Sequence, residues 1–179
     1  MTEGAVRSAL VVTVSDGAAA GIREDASGAG VAERLESIGY AVERLVVPDD
    51  RATIERALVA GAALHPLVLT TGGTGLTPRD VTPQATLAVI DYEVPGLAEA
   101  MRAAGRATTP FADLSRGVVG VRGRSLLVNL PGSPKGAIES FEAIVGVLEH
   151  ALDTLAGPYD HRMTTSGPSE PAIPGNPDL

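Results

Sequence analysis

The sequence predicts an α/β protein, a three-layer α/β/α domain built on a mostly parallel central sheet. Three observations lead there. Four short apolar runs are nearly continuous rather than alternating, as in strands buried on both faces. The segments between them repeat apolar residues at helical spacing. Strands alternating with helices imply right-handed crossovers, which cover a parallel sheet on both sides.

In chain order, the strands are expected at residues 9–14, 41–47, 67–69 and 125–130. Val31, Leu35 and Ile38 share one face of a first helix that stops near Gly39. Ile54, Ala57 and Leu58 mark a second. A third opens at Thr82 as N-cap, with Pro83 preset for the first helical position. Residues 95–104 read as a fourth. The last helix carries the clearest stripe, from Ile138 through Phe141, Ile144, Leu148 and Leu152 to Leu155, and ends at Gly157-Pro158. Residues 114–130, with Gly117, Gly120 and Gly123, suggest a hairpin leading into the last core strand. Residues 1–157 thus read as one domain. Over residues 158–179 apolar periodicity vanishes and five of 22 residues are proline, the composition of a disordered tail.

Composition narrows the function. No apolar run is long enough to span a membrane, and the N-terminus lacks the form of a signal peptide. Cysteine is absent, which excludes disulfides and thiolate chemistry and fits a reducing cytoplasm. The net charge of −8 argues against non-specific nucleic-acid binding, which relies on clustered cations. Thirteen arginines stand against one lysine, Lys135. His65, His150 and His161 show no metal-ligand spacing.

In open α/β sheets ligands bind beyond the carboxyl ends of the strands, so the residues just past each strand matter. The first strand runs into Ser15-Asp16-Gly17, the second into Pro48-Asp49-Asp50. The third enters Thr70-Thr71-Gly72-Gly73-Thr74-Gly75, with Asp80 five residues on. The last enters Pro131-Gly132-Ser133-Pro134-Lys135. Glycines let main-chain N–H groups approach an anion, and a helix starting at Thr82 adds its N-terminal dipole. The loop is neither a Walker A motif nor a dinucleotide fingerprint, and a tight strand-to-helix turn is the alternative. Aspartates around a phosphate loop make electrostatic sense when a divalent cation sits between them and the ligand. Asp16 and Asp49 also suit plain turn or capping roles. Lys135, in the first turn of the last helix, is placed to reach a phosphate or to stand in solvent. Arg116 is placed to fork onto a phosphate or to pair with a surface acid.

Together these residues resemble the molybdopterin adenylyltransferase family (MogA/MoaB), related to the gephyrin G domain. The matching pieces are Val-Ser-Asp-Gly from residue 14, Val-Pro-Asp-Asp from 47 and Thr-Thr-Gly-Gly-Thr-Gly-Leu-Thr-Pro-Arg-Asp from 70. Pro-Gly-Leu-Ala-Glu from 95, Leu-Ser-Arg-Gly from 114 and Asn-Leu-Pro-Gly-Ser-Pro-Lys-Gly from 129 complete them. The resemblance covers roughly residues 7–157. It implies an α/β/α fold, usually a homotrimer and sometimes a hexamer, and transfer of AMP from Mg²⁺-ATP to molybdopterin with release of pyrophosphate. It implies catalytic, magnesium-holding roles for Asp49 and Asp80. Ser115, Arg116, Pro131, Gly132 and Ser133 would bind the pterin and its phosphate, and Lys135 would reach a ligand phosphate. Ser15, Asp16, Gly72, Gly73, Thr74 and Gly75 would take the nucleotide side. A molybdenum-insertion enzyme is the expected downstream partner. Two other readings are a non-catalytic MoaB-type carrier of molybdopterin and a nucleotide-binding assembly scaffold. The intact aspartate pair favours the enzyme.

Overall fold

The computed structural model describes residues 7–157. The expected tail, residues 158–179, lies outside the described residues. Six strands form one sheet: β1 (Ser8–Val14), β2 (Ala41–Val47), β3 (Leu67–Thr71), β4 (Tyr92–Glu93), β5 (Val119–Arg122) and β6 (Ser125–Leu130). Their order is β2-β1-β3-β6-β5-β4. The first four in that order are parallel, and β5 and β4 continue the sheet antiparallel. The helices are α1 (Asp16–Ala19), α2 (Ala26–Ser37), α3 (Arg51–Leu64), α4 (Thr82–Val89), α5 (Pro95–Arg106) and α6 (Pro134–Ala156), with a 3-10 turn at Pro110–Leu114.

Alternation along each central strand makes the two cores. Ala9, Val11, Leu67, Leu69, Leu126 and Val128 face α2, α5 and α6, packing around Phe141, Ile144 and Leu35. Leu10, Val12, Val68 and Leu127 face α3 and α4, against Ile54, Leu58 and Ala85. This is the three-layer arrangement expected. The hairpin β5-β6 also stands where the glycines placed it.

Three expectations change. β2 was expected to be buried, yet five of its seven residues are exposed, because it is the sheet's edge and pairs only with β1. β3 runs two residues further than its apolar core, so Thr70 and Thr71 are buried strand residues rather than loop. Thr82 is not the N-cap of α4. Val81 holds that position without a side-chain cap, and the Thr82 hydroxyl instead donates to the carbonyl of Gly72 at 2.9 Å. β4, α1 and the 3-10 turn are too short to leave a periodic trace.

The topology positions the site. From β1 the sheet extends one way to β2 and the other way to β3, so the carboxyl end of β1 lies at the point where strand order reverses. A crevice opens there in folds of this kind.

Candidate functional site

Two cavities adjoin at the carboxyl ends of the strands. The larger, about 670 Å³, lies beyond β1 and β3, between Ser15, Asp49, Gly72, Gly73 and Ser27. The smaller, about 290 Å³, is walled by Thr74, Gly75, Ser115 and Pro131 and by Met101 and Arg102 of α5. Ser133 lines both. A Cβ on Gly132 would stand 3.2 Å from Gly72 Cα, so the glycine loop and the turn before α6 touch where the cavities meet.

The glycines between strand and helix are required by geometry. Gly72 and Gly73 have φ of 96° and 64°, the left-handed region that L residues with side chains avoid. A Cβ at Gly72 would also fall 2.4 Å from the carbonyl oxygen of Val14. The loop is pinned by its main chain: Gly72 N–H donates to Leu130 O at 3.2 Å, and Thr82 N–H to Gly73 O at 3.1 Å. Below it lies a buried polar knot. Asn129 Nδ2 donates to Thr70 Oγ1 at 3.0 Å and Thr86 Oγ1 at 2.9 Å, while its Oδ1 accepts from Val118 N–H at 3.2 Å. Thr86 passes the chain on to Thr82 O at 3.0 Å.

Two helix N-termini open into the larger cavity. Asp25 caps α2 by accepting from Gly28 N–H, and Ser133 caps α6 by accepting from Gly136 N–H. Ala26, Ser27, Ser133 and Pro134, at those two ends, line the cavity. Paired positive dipole ends beside a glycine loop suit a polyanion.

The aspartates divide into two groups. Asp16 and Asp49 are joined: each main-chain N–H donates to the other's carboxylate, at 2.8 and 2.9 Å. Arg79 closes onto Asp16 as an ion pair. The Asp16 carboxyl is held below its ordinary range, first by the bond from Asp49 N–H and then by Arg79. Asp50 serves as N-cap of α3, accepting from both the N–H and the hydroxyl of Thr53, which lower its pKa. Asp80 stands against Gly75, where an added Cβ would fall 3.0 Å from its Oδ2. Burial acts to raise its pKa but is outweighed by bonds from the Thr77 hydroxyl and N–H and from Gly75, with Arg116 adding its charge. The Asp16 and Asp80 carboxylates are therefore ionised at neutral pH.

Of the residues singled out in the sequence, Ser15, Asp49, Gly72, Gly73, Gly132 and Ser133 share the larger cavity, and Thr74, Gly75, Ser115, Pro131 and Ser133 the smaller. Asp16 stays exposed at the rim, tied to Asp49. Asp80, behind Gly75, lines neither cavity, and nor do Lys135 and Arg116. Lys135 is three-quarters exposed and sits 3.7 Å from Glu139 one turn on. Arg116 forks onto main-chain carbonyls, Gly75 O at 2.7 Å and Asp80 O at 2.5 Å, rather than onto a surface acid. No local pattern marks Arg79 or Asn129, although both lie inside the motifs that carry the resemblance. Their neighbours in the motifs carried the recognisable chemistry, and their own roles are contacts between distant segments. Met101 and Arg102 left no signal beyond the face of α5.

Comparisons with known proteins agree with this geometry. A family model described as a probable molybdopterin binding domain matches residues 10–150. A molybdopterin adenylyltransferase of Escherichia coli is 39% identical over 167 residues, spanning 83% of this chain and 85% of that one. The molybdopterin biosynthesis enzyme MoaB from Thermus thermophilus superposes with a TM-score of 0.77 at 49% identity, covering 84% of this chain and 97% of that one. The molybdopterin biosynthesis Mog protein of Mycobacterium ulcerans gives 0.78 at 44% identity, covering 83% and 99%.

Proposed function

The chain belongs to the family of probable molybdopterin binding domains, and from that premise we propose that it is a molybdopterin adenylyltransferase of molybdenum cofactor biosynthesis. Relatives carrying that name match it at 39–44% identity over most of its length. The observation that carries the reading is the pair of adjoining cavities with Ser133 common to both, one glycine-lined between helix N-termini and one backed by α5. A two-substrate transfer needs such a pair. ATP occupies the larger cavity with its phosphates on Gly72 and Gly73, and molybdopterin the smaller, with its terminal phosphate toward Ser133.

The residues fit Mg²⁺. Asp49 and Asp80 offer hard oxygen donors that are already bonded in place, which suits a cation taking its other ligands from phosphates and water. Bound there, Mg²⁺ would offset charge on the phosphates. The chain's own contribution is positioning: two polyanions must approach, and a fixed array of N–H donors and helix ends lowers that cost. In the proposed step a terminal phosphate oxygen of molybdopterin attacks the α-phosphorus of ATP. The bond to the β-phosphate bridging oxygen breaks, and pyrophosphate leaves with that oxygen. Little proton chemistry is asked of the protein. Asp49 orients the nucleotide side and Asp80 the junction at Gly75.

We further propose that the enzyme works in the cytoplasm as a homotrimer that hands its product to a molybdenum-insertion enzyme. Among the described residues no helix is long and apolar enough to cross a membrane. Incubating the purified chain with ATP, Mg²⁺ and molybdopterin and following product mass tests the reaction directly. Addition of one AMP supports it. Bound but unmodified molybdopterin indicates a carrier instead.

A further inference from the structure

The resemblance in sequence sends Arg116 to the pterin phosphate, but its side chain goes elsewhere. Its neighbours Ser115 and Gly117 line the smaller cavity and Arg116 does not. Three donors of this one residue grip the opposite loop: the main-chain N–H on Thr74 O at 3.0 Å, Nε on Gly75 O and Nη2 on Asp80 O. A guanidinium presents its donors in a rigid fork, so two carbonyls five residues apart are fixed relative to each other as well as to the arginine. Between those carbonyls runs the turn closed by Asp80 Oδ2 on the N–H and hydroxyl of Thr77. The acceptors are neutral carbonyls, so the cation stays beside Asp80 without quenching its carboxylate.

We propose that Arg116 is a positioning residue, a bracket that holds residues 75–80 in one conformation so that the Asp80 carboxylate stands ready behind Gly75. The proposal rests on the adenylyl-transfer reading for its consequence in turnover. A phosphate-binding arginine and a bracket predict different kinetics. Loss of a bracket loosens Asp80, so the response to Mg²⁺ changes while molybdopterin still finds its cavity. Lysine keeps the charge but holds one carbonyl at a time, so it restores only part of the function.

The test uses the full chain with Arg116→Gln and Arg116→Lys. For Arg116→Gln the expected result is a molybdopterin Kd within about twofold of wild type and a kcat lower by about tenfold or more. Half-saturating Mg²⁺ rises several-fold, and Arg116→Lys falls between the two. The Asp80→Asn/Arg116→Gln double variant is expected to turn over no more slowly than Asp80→Asn alone, because the two residues act as a unit. In ligand-free protein, amide exchange over residues 75–82 quickens in Arg116→Gln. A molybdopterin Kd raised about tenfold with unchanged Mg²⁺ response and amide exchange would make Arg116 a phosphate ligand and overturn the proposal. Wild-type kinetics and exchange in the variant overturn it equally. The exchange measurement needs no turnover, so it still decides the bracket if the wild-type chain transfers no AMP. That result would count only against the proposed function. If Arg116→Gln does not fold, the same readouts on Arg116→Lys decide.

Discussion

Asp16 and Asp49 hold each other by exchange: the N–H of Asp16 donates to Asp49 Oδ2 at 2.8 Å, and the N–H of Asp49 to Asp16 Oδ1 at 2.9 Å. The two residues sit just past the ends of β1 and β2, adjacent parallel strands, and Ser15 N–H on Val47 O at 2.9 Å closes the same seam. The exchange fixes the Asp49 carboxylate at the mouth of the larger cavity. An amide oxygen can accept the same bond from Asp16, so Asp49→Asn is expected to keep the wild-type melting temperature. Without the negative charge, its adenylyl transfer falls by about 100-fold. Asp49→Ala loses the bond too, and its Tm drops by about 2–4 °C. Thermal melts alongside a pyrophosphate-release assay check both. Equal activity in Asp49→Asn and wild type refutes the role.

Asp80→Asn separates the two cavities. The carboxylate touches the smaller cavity only through Gly75, so molybdopterin binding should survive. Under the proposed function its charge serves the transfer, so turnover is expected to fall by about 100-fold. Equilibrium titration with molybdopterin and a transfer assay on the same preparation give the two numbers. Loss of binding with normal turnover per bound substrate would reverse the assignment.

How much of this was legible in the residues depends on what local patterns encode. Near-continuous apolar runs place β1, β3 and β6, because strands covered on both faces must be apolar on both. The same rule misjudges β2, since an apolar composition does not reveal a missing neighbour. Ser133 announces its cap by sitting before Pro134, and does cap α6. Thr82 carries the same signal before Pro83, but its hydroxyl bonds a glycine-loop carbonyl ten residues back, a choice made by tertiary structure. The site divides the same way. Glycines and aspartates at strand ends are visible in sequence, whereas Arg116 on Gly75 and Arg79 on Asp16 join residues 41 and 63 positions apart. Residue type alone could not tell a guanidinium that grips carbonyls from one that grips phosphate.

Acid should undo the rim before the core. Asp16, Asp50 and Asp80 all have carboxyl pKa values lowered by folding. A group whose folded pKa lies below its unfolded value stabilises fully above the unfolded value, near pH 4, and loses that contribution as pH falls through the lower folded value. The expected profile is a Tm that these groups leave flat near neutrality and that falls below about pH 4. Arg79→Gln removes the second cause of the Asp16 shift, so the Asp16 carboxyl should titrate at higher pH in that variant. Carboxyl NMR titration reads it site by site. An Asp16 curve identical in variant and wild type would mean the Arg79 pair contributes nothing in solution, as some exposed pairs do.

Asn129 offers the sharpest stability test. It is buried on β6 and satisfies three groups at once: the hydroxyls of Thr70 on β3 and Thr86 on α4, and the N–H of Val118. From Thr86 the chain continues through Thr82 to the carbonyl of Gly72, so one amide side chain underpins the glycine loop. Asn129→Leu nearly conserves volume but strands the Thr70 hydroxyl and the Val118 N–H, while Thr86 keeps its bond to Thr82 O. Leaving buried polar groups unpaired costs about 1–3 kcal/mol each, so a loss of about 3 kcal/mol is expected in urea unfolding. The cost lies in the orphaned partners rather than in the missing asparagine. Thr70→Val added to Asn129→Leu removes one orphan, so the double variant should regain about 1 kcal/mol over the single. Were the double variant less stable by the sum of the two single losses, the knot would be a set of independent contacts, and Asn129 would not be its centre.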